Sequence, residues 1–108
     1  MRLQLPKPIE IYMAAENADD ADALAVCFAP DATVMDEGRT IQGLNAIKAW
    51  KIETKRKYQH SVEPIAVVEQ GGKTVVTVKL TGKFPGSPIE VGFTFRLEDD
   101  KIAALEIR

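Results

Sequence analysis

His60 is the side chain in this sequence whose type most directly suggests acid–base chemistry. It is the only histidine of the chain, and an imidazole exchanges protons near neutral pH. It lies where a predicted helix passes into a predicted strand. Its role is therefore either acid–base catalysis at the mouth of a pocket or that of a surface or strand-edge histidine. Cys27, the only cysteine, lies among apolar residues, so we interpret it as a core residue and not as a nucleophile.

Other common kinds of site are excluded by what the sequence lacks. A single Cys and a single His cannot form an intrachain disulfide or a His-rich metal site. There is no Walker loop, no Gly-x-Gly-x-x-Gly and no Gly-x-Ser-x-Gly, so phosphate cradles and nucleophile elbows are absent. We therefore expect no metal and no cofactor.

A cluster of basic residues lies along the third predicted helix and at its end: Lys48, Lys51, Lys55, Arg56 and Lys57. Nucleic-acid surfaces usually belong to basic domains with interleaved aromatic residues. Here the sequence pI is about 5.4 and only Tyr58 follows the run. Cations are favoured at a helix C-terminus, so we interpret the cluster as a solvated helix end and expect no nucleic-acid partner.

Length and composition are those of one small globular domain over residues 1–108. The chain has 108 residues, 14 Lys plus Arg against 16 Asp plus Glu, and 45% hydrophobic residues, which is ordinary globular usage. No run of 18 apolar residues is present, so no membrane association through a spanning helix is expected. No basic segment followed by an apolar one opens the chain, which predicts a cytoplasmic protein.

The first half of the chain has helical periodicity. Residues 1–7 read as an extended arm, and a helix is expected to begin at Pro8. Residues 17–20 offer capping side chains for a second helix, which includes Phe28 and is stopped by Pro30. A short strand at residues 32–35, a turn at residues 36–38 and a third helix at residues 44–57 follow.

From residue 59 the period of the apolar residues changes to two. Strands are predicted at residues 61–69, 74–84, 89–97 and 102–108, joined by Gly-, Pro- and Asp-rich turns. Val76 and Val78, then Phe93 and Phe95, mark the buried face. Because the predicted helices precede most of the predicted strands along the chain, we expect an α+β fold, in which three helices cover one face of a mostly antiparallel sheet.

Three motifs in this arrangement resemble the nuclear transport factor 2-like superfamily, which includes ketosteroid isomerases and SnoaL-like polyketide cyclases. Residues 28–34 (FAPDATV) match its F/Y-x-x-D-A-x-V, and residues 42–50 match its glycine-led third helix ending near Trp50. Residues 93–107 match its closing hairpin. The resemblance covers residues 8–108 and implies a cone-shaped fold with a curved sheet and an apolar ligand pocket.

The resemblance assigns Asp36 and Tyr12 as candidate catalytic residues. In ketosteroid isomerases an Asp after the Ala-x-Val of the first strand moves a proton beside a carbonyl, and residues 32–36 have that spacing. A carboxylate in an apolar pocket gains a raised pKa suited to this work. Tyr12 lies where those enzymes carry an oxyanion-binding tyrosine. The alternatives are a solvated turn or a ligand hydrogen bond for Asp36, and a core tyrosine for Tyr12.

One departure from the ketosteroid isomerase pattern concerns the second acidic donor of the oxyanion site. The aligned inward position here is Phe93, so half of that site is missing. Phe93, Phe95, Phe28 and Trp50 are expected as substrate-binding walls, although helical spacing with Ile47 favours core packing for Trp50. SnoaL-like cyclases use an acidic pocket residue, a part that Asp36 or His60 would play.

Three functions are compatible with these residues. The first is a cofactor-free isomerase, cyclase or dehydratase that acts on an apolar carbonyl compound. The second is a domain that binds a small hydrophobic molecule without turnover. The third is a module that dimerises through the outer face of the sheet, where five residues are expected: Thr77, Lys79, Thr81, Thr94 and Arg96. The resemblance also implies a homodimer.

Overall fold

The computed structural model describes residues 4–18 and 20–107. The helices are α1 (Lys7–Ala18), α2 (Leu24–Cys27) and α3 (Leu44–Tyr58), with a 3₁₀ turn at Ala21–Ala23. The strands are β1 (Phe28–Asp36), β2 (Arg39–Gln42), β3 (Ser61–Gln70), β4 (Lys73–Thr81), β5 (Ile89–Glu98) and β6 (Lys101–Ile107). Part of the predicted arm, residues 1–3, and the predicted last strand residue, 108, lie outside the described residues.

The strands form one curved sheet in the order β2-β1-β6-β5-β4-β3. The neighbours β1 and β6 run parallel, and every other neighbouring pair is antiparallel. A parallel pair needs a long connection, which here is most of the chain. The predicted α+β architecture, with three helices against a mostly antiparallel sheet, is confirmed.

The second helix is much shorter than the sequence predicts. It ends after one turn at Cys27, and Phe28 already has extended backbone angles (φ −95°, ψ 144°). Phe28 pairs with Ile102 of β6, and Pro30, which cannot continue a helix, biases the residue before it towards extended angles. Strand pairing therefore overrides the helical pattern in this segment, and β1 begins four residues earlier than predicted.

A strand that the sequence analysis did not predict, β2, follows the turn after Asp36. Glu37 and Gly38 both have positive φ, 52° and 76°, which is the geometry of a tight two-residue hairpin. The hairpin pairs Asp36 with Arg39 and Val34 with Ile41. It places the end of β1, and with it Asp36, beside α3.

The core lies between α1, α3 and the inner face of the sheet. Tyr12 of α1 is its centre, with ring centroids 5.7 Å from Phe28 and 5.8 Å from Phe95, both edge to face. Val76 and Val78 of β4 are fully buried below it, as the alternation predicts. Within the described residues, no helix is both long enough and apolar enough to cross a membrane.

The last strand departs from the expected alternation only at its start. The sequence predicts Ala103, Leu105 and Ile107 on one side; Leu105 is buried and Ile107 lines the cavity, but Ile102 is fully buried in place of Ala103. The pairing of β5 with β6 shifts register between the pairs Arg96–Ala104 and Leu97–Ile102, which leaves Ala103 as an extra residue of β6 and puts Ile102 on the inner side.

Candidate active site

A cavity of about 300 Å³ opens between α1, α3 and the inner face of the sheet. Its apolar wall comes from α3, the β-strands and the turn after β4: Trp50, Leu80, Phe84, Pro85, Ile89, Phe93 and Ile107. Polar side chains line the rest: Tyr12, Glu16, Asp36, Glu37, Thr54, Tyr58 and His60. Binding sites for small molecules commonly combine a mainly apolar wall with a few placed polar groups.

Asp36 lies at the end of β1, half-buried in the cavity wall. Trp50 of α3 donates a hydrogen bond from Nε1 to Asp36 Oδ2 over 3.0 Å. Burial raises the pKa of Asp36 above its ordinary value, although the hydrogen bond from Trp50 opposes the shift. The neighbouring Glu37 also raises this pKa, whereas His60 and Arg39 lower it. The result is a fixed carboxyl group whose proton affinity is increased by its surroundings.

Tyr12 faces the same cavity from α1 and is 1% exposed. Burial raises the pKa of its phenol well above the ordinary value, and the negative charges of Glu16 and Asp36 raise it further. The hydroxyl therefore stays protonated throughout the physiological pH range. A neutral phenol in this position can donate a hydrogen bond to a ligand oxygen.

Glu16 and His60 form a close buried pair at the cavity wall. Glu16 Oε2 lies 2.6 Å from His60 Nε2, and the two residues are 2% and 8% exposed. Lys55 holds both from α3, because its ammonium group donates to the backbone carbonyl oxygens of Glu16, at 2.8 Å, and of His60. Glu16 Oε1 and His60 Nδ1 are enclosed, and neither has a hydrogen-bond partner among the residues that the structure describes.

The mouth of the cavity has its own polar contact. The Tyr58 hydroxyl donates to Glu37 Oε1 over 2.9 Å, which joins the end of α3 to the β1–β2 hairpin. The Tyr58 ring also packs edge to face on Phe84, with centroids 5.9 Å apart. In the described part of the chain, no three His, Cys, Asp or Glu side chains are grouped so that they could hold a metal ion.

The structure brings most of the predicted site residues to one cavity. Those that line it are Tyr12, Asp36, Trp50, His60 and Phe93. Phe28 and Phe95 do not line it, because they pack against Tyr12 within the core. Cys27 is fully buried and burial raises its pKa to about 12, so its thiol is inert, in agreement with the core interpretation.

Nine of the lining residues were not among the predicted site residues, and three of those nine make the polar contacts described above: Glu16, Glu37 and Tyr58. The sequence contains a signal for Glu16. It lies seven residues after Ile9 and therefore continues the buried helical stripe of Ile9, Tyr12 and Met13. A carboxylate in such a stripe usually needs a partner. No comparable signal existed for Glu37 and Tyr58, since their contact depends on how α3 meets the hairpin.

Comparisons with known proteins place the chain in a family. A model of the SnoaL-like domain matches residues 9–105. A solved structure from Sinorhizobium meliloti, described as a candidate polyketide cyclase, is 40% identical, with a TM-score of 0.92, and the match covers 96% of this chain and 95% of that one. No curated protein matches the sequence.

Other solved structures share the fold at lower identity. A Catenulispora acidiphila protein with a ketosteroid isomerase-like fold, in complex with trimethylamine, is 22% identical at a TM-score of 0.83, over 97% of this chain and 86% of that one. A Mycobacterium tuberculosis protein is 18% identical at a TM-score of 0.80, over 99% and 92%. With the family match across nearly the whole chain, these comparisons show that the chain belongs to the SnoaL-like domain family of the nuclear transport factor 2-like superfamily.

Proposed function

We propose that the chain binds a small, mainly apolar carbonyl compound in the cavity and moves a proton on it without a cofactor, as an isomerase, cyclase or dehydratase. The observation that carries the proposal is the half-buried Asp36, fixed by Trp50 in the wall of a mainly apolar cavity. The similarity to a candidate polyketide cyclase of Sinorhizobium meliloti supports the same reaction class.

Asp36 is proposed as the base. Trp50 occupies Oδ2, while Oδ1 accepts no hydrogen bond from a described residue and is left for the ligand. Oδ1 takes a proton from the carbon beside the carbonyl group, and the electron pair of the broken C–H bond moves to the carbonyl oxygen as an enolate. In an isomerisation the same carboxyl then returns the proton to another carbon. In a cyclisation or a dehydration it gives the proton to the new alkoxide or to the leaving hydroxyl group, so no net proton is lost.

Tyr12 is proposed as the group that stabilises the enolate oxygen. Its phenol is neutral and buried, so its hydrogen bond would strengthen as negative charge develops on the carbonyl oxygen. Phe93 lies in the same cavity at 3% exposure and offers no second donor. Loss of one such donor typically costs about a hundred- to a thousandfold in rate, so we expect slow turnover of steroid ketones.

His60 is proposed to act on Asp36 through its charge. Its Nε2 is occupied by Glu16 and its Nδ1 is enclosed, so direct proton transfer to a ligand would require the ring to move. The charge of His60 lowers the pKa of Asp36, which keeps more of this carboxyl ionised as a base. Glu16 and Lys55 would hold the ring in place for that effect.

The test is hydrogen exchange on a panel of small cyclic ketones in D₂O, followed by NMR. The natural chain is expected to accelerate exchange of the hydrogens beside the carbonyl group, and Asp36→Asn is expected to remove the acceleration. Asp31→Asn, an exposed change on the same strand, is the matched control. Equal acceleration by the natural chain and Asp36→Asn would refute the role of Asp36.

A second candidate function is ligand binding or dimerisation without turnover. The observation that favours dimerisation is that the outer face of the sheet exposes apolar side chains on two separate strands, Met35 of β1 at 47% and Val68 of β3 at 55% exposure. A homodimer through this face and a cytoplasmic location stay predictions from the sequence. Ligand binding without any exchange in D₂O would favour this second function.

A further inference from the structure

The residues that line the cavity differ in their exposure to solvent, and this difference separates a closed end from an open end. At the closed end the lining residues are buried, among them Tyr12, Trp50 and Phe93. At the open end three lining residues are exposed: Glu37, Pro85 and Ile89. A ligand therefore enters past the exposed residues and moves towards the buried ones.

The closed end does not continue into the core. The ring centroids of Tyr12 and Phe93 lie 6.3 Å apart. Phe28 and Phe95 pack against Tyr12 with centroid distances of 5.7 and 5.8 Å, and both are fully buried. Because packed aromatic rings leave no space for further atoms, a ligand cannot pass beyond Tyr12.

At the open end, the side chain of Tyr58 connects three elements. Its hydroxyl at the end of α3 donates to Glu37 of the β1–β2 hairpin over 2.9 Å. Its ring packs edge to face on Phe84, which follows β4, with centroids 5.9 Å apart. Its carbonyl oxygen accepts the N–H of Lys83 over 2.6 Å, so its backbone is held as well. Since Glu37, Tyr58 and Phe84 all line the cavity, these contacts narrow its mouth.

The space between the two ends suits a compact molecule. Its volume is about 300 Å³, which is at the lower end of the roughly 300–1,000 Å³ that ligand sites occupy. A water molecule takes about 30 Å³ in the liquid, and a carbon atom with its hydrogens is of about the same size, so the cavity holds about ten such groups. One ring or two fused rings meet this limit, whereas the four fused rings of a steroid, with about twenty such groups, need roughly twice the volume.

We propose that the cavity accepts carbonyl compounds of one ring or two fused rings, and that Tyr58, together with Glu37, sets this limit by closing the mouth above them. This inference rests on the proposed ligand-binding cavity and narrows its substrate class by size. A four-ring ketone reaches the closed end only after Tyr58 has separated from Glu37 and Phe84. In an open apolar groove, by contrast, each added ring would bury more apolar surface and bind more tightly.

The test compares three neutral ketones of increasing length: cyclohexanone, decalone, which has two fused rings, and the four-ring steroid ketone nandrolone. Trp50 is the only tryptophan of the chain and lines the cavity, so its indole N–H resonance reports binding at this site. Decalone is expected to bind about tenfold more tightly than cyclohexanone, because it buries more apolar surface. Nandrolone is expected to bind about tenfold more weakly than decalone, or not at all.

Two variants open the mouth from opposite sides. Tyr58→Ala removes the ring and its hydroxyl, and Glu37→Gly removes the acceptor at a position whose φ of 52° suits glycine. Each is expected to tighten nandrolone binding about tenfold and to change the Kd of cyclohexanone by less than about threefold. Arg56→Ala alters an exposed residue of α3 outside the cavity lining, so this control should leave all three Kd values unchanged. Glu37→Gly decides the test if Tyr58→Ala does not fold.

The possible failures are distinguishable. If nandrolone binds the natural chain more tightly than decalone does, the size limit is refuted, while the proposed ligand cavity is supported. If both mouth variants bind nandrolone as weakly as the natural chain does, Tyr58 and Glu37 do not set the limit and the inference is refuted. If no ketone changes the Trp50 resonance, with the two smaller ones at about ten millimolar, both the size limit and the proposed ligand cavity are refuted.

Discussion

Asp36 combines two influences on its proton affinity that oppose each other. Burial raises its pKa, while the hydrogen bond from Trp50 and the charge of His60 lower it. A base for a weakly acidic carbon needs both a high proton affinity and a large ionised fraction. Burial, Trp50 and His60 together therefore set a pKa of Asp36 that lies between these two requirements.

The ionised Asp36 is expected to cost stability, so Asp36→Asn is predicted to stabilise the fold at pH 7 but not at pH 3. Because the pKa of Asp36 is raised on folding, the folded state binds the proton more strongly, and stability is lost as pH rises past the unfolded-state value. The asparagine side chain still has a carbonyl oxygen that can accept the hydrogen bond from Trp50 Nε1, so the substitution removes the charge and keeps this contact. The gain should be below about 1 kcal/mol, since solvent screens a half-buried group.

Urea unfolding at both pH values measures this difference, with Asp31→Asn as the exposed control on the same strand. A gain that is equal at pH 3 and pH 7 would show that the effect does not arise from ionisation of Asp36.

At the scale of secondary structure, the cavity depends on how the end of α3 meets β3 and β4. Gly82 follows β4 and lies against the segment from Tyr58 to His60. The Lys83 N–H donates to the Tyr58 carbonyl oxygen over 2.6 Å. Asn17 of α1 fixes the other side, because its side chain both donates to and accepts from the backbone of Val62, at 2.9 and 2.8 Å.

Gly82→Ala is predicted to displace His60 and to destabilise the fold by about 1–3 kcal/mol, the usual cost of overpacking. A Cβ at this position would lie 2.7 Å from the Tyr58 carbonyl oxygen and 3.0 Å from His60 Cα, and a backbone cannot yield as a side chain does. Thermal unfolding and the His60 ring resonances measure the effect. Lys83→Ala keeps the backbone N–H that donates to the Tyr58 carbonyl oxygen, so this control should change neither the thermal stability nor the His60 resonances. A Gly82→Ala variant with unchanged stability and unchanged His60 resonances would contradict the prediction.

The elements that the sequence predicts best are those with a long regular period. The helix expected at residues 44–57 is α3, Leu44–Tyr58, and the strand expected at residues 89–97 is β5, Ile89–Glu98. Helix α2 and strand β2 were not predicted correctly, because long-range pairing with β6 and a two-residue turn decide them. Local sequence carries little information on either.

The candidate site was predictable mainly through the family resemblance. The resemblance to ketosteroid isomerases assigned Asp36 and Tyr12, and Trp50 was expected as a wall of the pocket; all three line the cavity. Phe28 and Phe95 were expected there too, but which side of Tyr12 they occupy depends on the packing of α1 on the sheet. The Glu16–His60 pair joins residues 44 positions apart, a distance over which a single sequence gives no pairing information.

At the scale of the whole molecule, the two faces of the sheet differ in chemistry. The inner face holds the cavity, and the outer face carries polar residues with a few exposed apolar ones. The pairing register places Val68, Val75, Thr94, Glu106 and Met35 in one row across the outer face. Such a mixed surface suits a partly hydrated interface.

A homodimer through this outer face is predicted to dissociate when Met35 and Val68 are both changed to Glu. The two residues are 47% and 55% exposed, and burying new carboxylates in a symmetric interface is costly because each subunit contributes the same charges. Sedimentation equilibrium of the natural chain and the double variant measures the effect. A dimer of unchanged affinity would place the interface elsewhere.

The most direct test of the central claim is a carboxyl-detected NMR titration of Asp36, with and without a bound phenolic ligand, using Asp36→Asn to assign the signal. The predicted result is a midpoint above the ordinary aspartate value that moves when the ligand binds. In Trp50→Phe the midpoint should rise further, because the hydrogen bond that lowers it is lost. An ordinary midpoint that does not respond to ligand would contradict the assignment of Asp36 as the base of this cavity.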